Sequence, residues 1–205
     1  MDTINKLIEY FREFPGVGPR QAKRFVYFLL ARNSAILEEI ARLILELKKE
    51  IKTCSSCFRF FPKDLSKSPL CDVCRDGSRD RSSLMVVAKD VDFEIIEKSR
   101  SYSGYYFILG GTVPILEKNP EMRVRADKLL QRTEEKASEG LKEIIVAMNL
   151  NPEGENTGYY IQNLLKPVAE KLNLKVSVLG RGLSTGTELE YSDAETIKNA
   201  LKNRD

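Results

Sequence analysis

Four cysteines carry the clearest chemistry in this chain: Cys54-x2-Cys57, thirteen intervening residues, then Cys71-x2-Cys74. Each pair can present two thiolates from one tight turn. Two such pairs at this separation fit a tetrahedral zinc ion with four sulfur ligands. They are all the cysteines the chain has. Two other readings of them stand. A pair of disulfides is disfavoured in a reducing compartment, and redox CxxC chemistry would need only one motif. Four thiolates leave no open coordination position, so an ion held there is structural. The intervening FRFFPKDLSKSPL has turn formers at Pro62 and Pro69, and so small a segment needs the metal in order to fold.

A second group lies in FPGVGPRQAKRF, residues 14–25. Gly16 and Gly18 flank Val17 in a tight turn, and glycine allows positive φ and close approach of a ligand to the backbone. Pro19 suits the first position of a following helix. The unpaired N–H groups and positive dipole end of that helix make an anion site. Arg20, Lys23 and Arg24 follow at i, i+3 and i+4, and they supply cations on the same side. Contacts of this kind hold DNA phosphates without reading sequence. An ordinary helical hairpin with a solvated basic face is the simpler alternative.

Histidine is absent. That removes histidine general bases, Ser-His and Cys-His nucleophile pairs, and histidine metal ligands. Catalysis would have to rest on carboxylates, lysines or a bound metal. The formal charge of +3 is unevenly placed. Residues 1–82 carry 16 Lys and Arg against 11 Asp and Glu, and residues 83–205 carry 17 against 19. A basic front half is what a phosphate-binding module shows, although chance surface variation accounts for it too. No apolar run approaches the length of a membrane span. The N-terminal MDTINKLIEY lacks the cationic start and apolar core of a secretory signal, so the expected location is the cytoplasm.

The elements that position these groups can be read from periodicity. A first helix begins after Asp2 or Thr3, with Ile4, Leu7, Ile8 and Phe11 on one face. A second starts at Pro19 or Arg20 and buries Ala22, Phe25, Val26, Leu29 and Leu30. Ser34 caps a third, whose apolar stripe is Ile36, Leu37, Ile40, Leu43, Ile44, Leu47 and Ile51. These stripes are expected to be core. From Ser83 onward strands and helices alternate. SLMVVA, YYFIL, EIIVAM and KVSVL are strands, and VDFEIIEKS, RVRADKLLQRTEEK and TGYYIQNLLKPVAEKL are helices. Pro167 is a candidate kink in the last of these. Strands separated by helices imply a parallel sheet covered on both faces.

FPGVGPRQAKRF resembles a helix-hairpin-helix DNA-binding motif. A helix-hairpin-helix, a four-cysteine zinc segment and then an α/β domain is the order found in the RecR family of bacterial recombination mediators. Three further stretches are similar to that family: CDVCRDGSRDRSSLMVV, EIIVAMNLNPEGENTGYYIQNLLKP and GRGLSTGTELEYSDAETIKNAL. The resemblance implies an α/β multidomain chain. Residues 1–53 would form the helix-hairpin-helix region and 54–75 a zinc finger. Residues 82–178 would form a Toprim-like domain, and 179–205 a C-terminal segment that the family exchanges between subunits. A final hairpin on the subunit's own sheet is the alternative for that last segment. Ser184 stands where relatives usually have proline.

Enzymatic Toprim domains hold Mg²⁺ with a glutamate at the end of the first strand and an Asp-x-Asp pair after the third. Those positions fall on Ala88, Asn149 and Asn151 here. Glu153 and Glu155 remain nearby, on what reads as a solvated loop, as a candidate residual Mg²⁺ or partner-contact site. Asp90 and Asp92 follow the first strand. All three expected carboxylates are replaced by neutral side chains, so no catalytic residue is assigned.

The resemblance implies a non-catalytic mediator of recombinational repair. It would bind DNA, form a homo-oligomer such as a tetrameric ring, carry one zinc, and act with RecO and RecF to load recombinase on gapped or single-stranded DNA. A Toprim nuclease or primase is the competing class, and the missing carboxylates argue against it. A third reading makes the helical hairpin a protein-docking surface on a scaffold.

Overall fold

The structure is a computed structural model that describes residues 2–63, 67–180, 194 and 196–198. The expected C-terminal exchange segment, with Ser184, therefore lies almost wholly outside the described residues. The chain divides into two compact units, Met1–Lys52 and Thr53–Asp205.

The first unit contains three helices: α1 (Thr3–Arg12), α2 (Pro19–Leu30) and α3 (Ser34–Glu50). Asp2 caps α1 by accepting from the Asn5 N–H at 2.8 Å. Asn33, not Ser34, caps α3, accepting from Ile36 N–H at 3.0 Å. Both residue types are good caps, and the helix already includes Ser34 as its first residue. Ile51 leaves the α3 stripe altogether and starts strand β1 (Ile51–Thr53).

The larger difference is burial. Among the described residues of this unit only Ala22 and Val26 are buried, and α1 and α3 bury nothing completely. The stripes expected to be core instead line an open apolar groove of about 660 Å³, bordered by Leu7, Phe25, Leu29, Ile40 and Ile44. Periodicity identifies which face of a helix is apolar. It does not say whether three short helices have enough mass to cover one another.

Among the described residues, the second unit is built on a four-stranded parallel sheet in the order β4-β3-β5-β6. Its strands are β3 (Asp80–Val87), β4 (Gly104–Ile108), β5 (Glu143–Ala147) and β6 (Lys175–Val178). Leu84–Val87 pair with Tyr105–Ile108 on one side and with Ile144–Ala147 on the other. Each crossover is helical, as parallel strands require: α5 (Asp90–Ser99), α6 (Ala126–Ser138) and α7 (Pro152–Leu172). The successive residues of β3 point alternately into two cores. Leu84 and Val86 join Phe107, Ile144 and Val146 under Leu129 of α6 and Ile161 and Leu165 of α7. Met85 and Val87 join Tyr106 and Ile108 under Phe93 of α5.

Cys54, Cys57, Phe61, Cys71 and Val73 belong to that second core. The four-cysteine segment is thus a covering layer of the sheet, sharing one face with α5. Strand β2 (Phe60–Pro62) and the short helix α4 (Asp72–Arg75) lie within this segment. Helix α7 runs unbroken through Pro167 and begins at Pro152, five residues before the sequence pattern becomes periodic.

Candidate metal centre and nucleic-acid face

The four cysteine sulfurs converge. All lie within 4.8 Å of one another, and the Sγ atoms of Cys57 and Cys71 are 3.7 Å apart. Four sulfurs each about 2.3 Å from one ion would be roughly 3.8 Å apart in a tetrahedron, so the spacing suits zinc. Cys54 Sγ accepts from the backbone N–H groups of Ser56 and Cys71, each at 3.4 Å. Such donors favour the thiolate that a metal requires. No cysteine is in a disulfide, and three of the four are completely buried. Hydrogen bonds from Cys57, Cys71 and Cys74 hold the Cys54 thiol well below the ordinary cysteine range, while the Cys57 thiol, donating in return, is pushed far above it. Four thiols in mutual contact cannot all ionise unless a cation sits among them.

The local backbone explains the convergence. Cys54 N–H donates to Arg59 O at 2.9 Å and Phe58 N–H to Cys54 O at 3.1 Å, closing the first knuckle, with Phe58 at φ +66°. Arg75 N–H donates to Cys71 O at 3.0 Å, so α4 forms the second knuckle. The knuckles are tied to the sheet. Ile108 N–H donates to Cys57 O at 2.8 Å, on the edge strand β4. Phe58 packs edge-on against Phe107 at 5.3 Å, and Arg132 of α6 donates to Ser55 O at 2.9 Å. Arg59 pairs with Asp72 at 3.0 Å and lies over Phe93.

In the first unit, Gly16 has φ +76°, the left-handed region that glycine supplies without strain. Val17 N–H donates to Phe14 O at 3.0 Å, closing the turn. Gly18 is the N-cap of α2 and has no side chain to cap the helix, with Pro19 next. Pro19 has no N–H and Ala22 N–H donates to Gly18 O at 3.0 Å, so the N–H groups of Arg20 and Gln21 are left with neither an intrahelical acceptor nor a side-chain cap. Gly16, Gly18, Arg20, Lys23 and Arg24 are all exposed. The cations face away from Ala22, Val26 and Leu29, which turn toward the apolar side of the unit.

The C-terminal edge of the sheet is where open α/β sheets hold ligands, at the point where strand order reverses between β3 and β5. Here it offers little to a metal. Ala88 is buried and has no ligand atom. Asn151 caps α7, its side chain accepting from Gly154 N–H at 2.8 Å. Glu153 accepts from Thr112 Oγ1 at 3.1 Å. Asp90 accepts from Phe60 N–H at 2.8 Å, and Asp92 from Lys89 N–H at 2.9 Å, so both stabilise local backbone. Glu153 and Glu155 sit in the first turn of a helix, not in a solvated loop. The helix dipole favours acidic residues there without any ion. Among the described residues, only the four cysteines cluster in a way that could hold a metal. The residues present do not fit a Toprim Mg²⁺ site.

The residues that anchor the cysteine segment, Arg132, Phe58 and Arg59, carry no mark in the sequence. Their partners are distant along the chain, and no local pattern singles them out.

Comparison with known proteins agrees with this layout. Residues 4–48 match a family model described as the RecR helix-hairpin-helix, residues 82–180 a Toprim domain, and residues 182–204 the RecR C-terminal region. Among curated proteins, the chain is 39% identical over 201 residues to the "Recombination protein RecR" of a Cyanothece species, covering 98% of this chain and 94% of that protein. It is 35% identical to the protein of that name from Rippkaea orientalis, covering 98% and 95%. With the one from Staphylococcus saprophyticus it shares 34% identity, covering 99% and 96%.

Proposed function

The chain belongs to the RecR family of recombination proteins, and from that premise we propose that it is a non-catalytic DNA-binding mediator of recombinational repair. The DNA backbone lies against the Gly16–Gly18 turn and the start of α2, with Arg20, Lys23 and Arg24 neutralising phosphates. One zinc ion sits among Cys54, Cys57, Cys71 and Cys74 and holds the covering layer of the sheet in place. Copies of the chain assemble into a ring, a tetramer in this reading. With RecO and RecF as partners, the ring helps load recombinase on gapped or single-stranded DNA in the cytoplasm. No helix among the described residues is long and apolar enough to cross a membrane.

The observation that carries the DNA reading is the exposed, uncapped start of α2 backed by three exposed cations. Backbone N–H groups and Arg or Lys side chains are common donors to phosphate oxygen. Neutralising phosphates releases counterions, so binding of this type has a quantitative signature. Replacing Arg20, Lys23 and Arg24 by alanine should weaken binding to all sequences. It should also flatten the dependence of log affinity on log salt, by about 0.9 for each duplex phosphate that is no longer neutralised. A triple variant with unchanged affinity and unchanged salt slope would refute the site and favour the protein-docking alternative.

A further inference from the structure

We propose that Tyr27 is a stacking platform for an unpaired base, and that it makes the basic face of α2 a single-strand-selective surface. The proposal rests on the DNA-binding reading of α2 given above and names the form of DNA that face would prefer.

Arg20, Lys23, Arg24 and Tyr27 stand at i, i+3, i+4 and i+7, which is one continuous face of an α-helix. The apolar side of the same helix is formed by Phe25, Val26 and Leu29, which line the open groove of the first unit, and Tyr27 is not among the groove residues. An aromatic ring in line with a cationic stripe has no core to serve. Tyr27 is 52% exposed. Lys23 Nζ lies 5.8 Å from its ring centroid, a loose cation–π arrangement that leaves the ring accessible.

Chemistry then selects the ligand. A phosphodiester needs cations and N–H donors, and an aromatic face adds nothing to it. A base in a duplex keeps both its faces stacked on neighbours. An unpaired base has a free π-face, and cations interleaved with exposed aromatics are how sequence-tolerant single-strand sites are built. Tyr27 lies four residues beyond Lys23, about 6 Å along the helix axis. Lys23 and Arg24 can therefore hold a phosphate while the adjoining base rests on the ring. Every base has such a face, so the stacking carries no sequence preference.

The test uses the full-length protein and three labelled ligands: oligothymidylate, an abasic oligomer of the same length, and a mixed-sequence duplex. Tyr27→Leu should weaken oligothymidylate binding roughly tenfold. It should leave abasic and duplex binding, and the salt slope, unchanged. Tyr27→Phe should bind as wild type, because the platform needs the ring and not the hydroxyl. Photocrosslinking to an oligomer carrying 5-iodouracil should place the label on the peptide containing Tyr27. Wild-type protein that binds oligothymidylate and the abasic oligomer equally would overturn the platform while leaving the phosphate site standing. Loss of duplex binding in Tyr27→Leu equal to the loss on oligothymidylate would overturn it as well. Wild-type protein that binds none of the three ligands would remove the DNA reading itself, and the platform with it.

Discussion

Cys54, Cys57 and Cys71 are completely buried, whereas Cys74 keeps partial exposure. The buried three share a core with Val87, Tyr106 and Ile108, so a change at the four sulfurs reaches the sheet. A metal-binding site organises few apolar residues of its own, and metal binding is then folding free energy. Purified protein should contain one zinc per chain by elemental analysis. Cys71→Ala should lose it and destabilise the second unit by on the order of 3–5 kcal/mol, the large end of single-residue effects, where loss of a metal belongs. Near-ultraviolet circular dichroism should register the change, because Phe58 and Phe107 pack where Cys57 O meets β4. Zinc-free protein that is well folded, with four freely titrating thiols, would end the claim. The convergence of these four sulfurs was legible in the sequence because two CxxC turns need only local spacing. The side chains that dock it were not legible, because Arg132 reaches Ser55 across 77 residues.

At the level of elements, α7 shows both what a sequence pattern reveals and what it hides. Asn151, Pro152 and Glu153 are a good helix start: a cap, a proline at the first position and an acid near the dipole. The glycines at 154 and 158 interrupt the apolar periodicity, so the pattern emerges only near Thr157. Gly154 is small for a tertiary reason. A Cβ there would run into the Asn149 carbonyl, at the turn leaving β5. Gly154→Ala should therefore cost roughly 2 kcal/mol, more than the helix propensity of alanine returns, and thermal melts would show it. The order of the strands was equally hidden, because each strand reads alike whether it is central or at an edge. A clamp between elements gives a second test. Arg79 donates to both Glu97 carboxylate oxygens at 2.7 and 2.8 Å and to Gly104 O at 2.9 Å, joining the start of β3 to α5 and β4. These hydrogen bonds hold the Glu97 carboxyl below the usual carboxylate range. Its contribution is therefore complete above the unfolded-state value and is lost as pH falls through the depressed folded value. Glu97→Gln should cost about 1 kcal/mol at neutral pH, discounted because Glu97 is about a third exposed. The gap between wild type and variant should close on acidification below about pH 4. A gap that stays constant in acid would assign the loss to packing instead.

The whole molecule raises two questions, of chemistry and of assembly. Metal-dependent phosphoryl transfer needs an ion fixed beside the scissile phosphate. With Ala88 mute, Asn151 spent on a helix cap and Glu153 held by Thr112, that ion has no firm seat. Pure protein should leave labelled single-stranded, nicked and gapped DNA intact with Mg²⁺ or Mn²⁺. Turnover abolished by Glu153→Ala or Glu155→Ala would move the chain to the Toprim enzymes. The proposed assembly has a candidate surface in the first unit, whose groove exposes Leu7, Leu30, Ile40 and Ile44, with Leu43 and Leu47 exposed along the same helix α3. Soluble chains rarely leave so continuous an apolar face uncovered. In the proposed ring, a second copy would bring an identical face and close the groove by twofold symmetry, the commonest solution. A ring needs one more interface, and the C-terminal segment is the candidate implied by the family. Breaking the first interface alone should therefore reduce the solution mass by a fixed step and not to a continuum. Ile40→Asp with Ile44→Asp should halve the mass measured by light scattering, because two carboxylates cannot be buried unpaired against a copy of themselves. Arg20, Lys23 and Arg24 are untouched by this change, so the variant should still bind DNA per chain. It should do so with a smaller salt slope per particle, since fewer chains are joined. A wild-type mass equal to a single chain at micromolar concentration would exclude the ring, and the groove would then have to be filled by another protein.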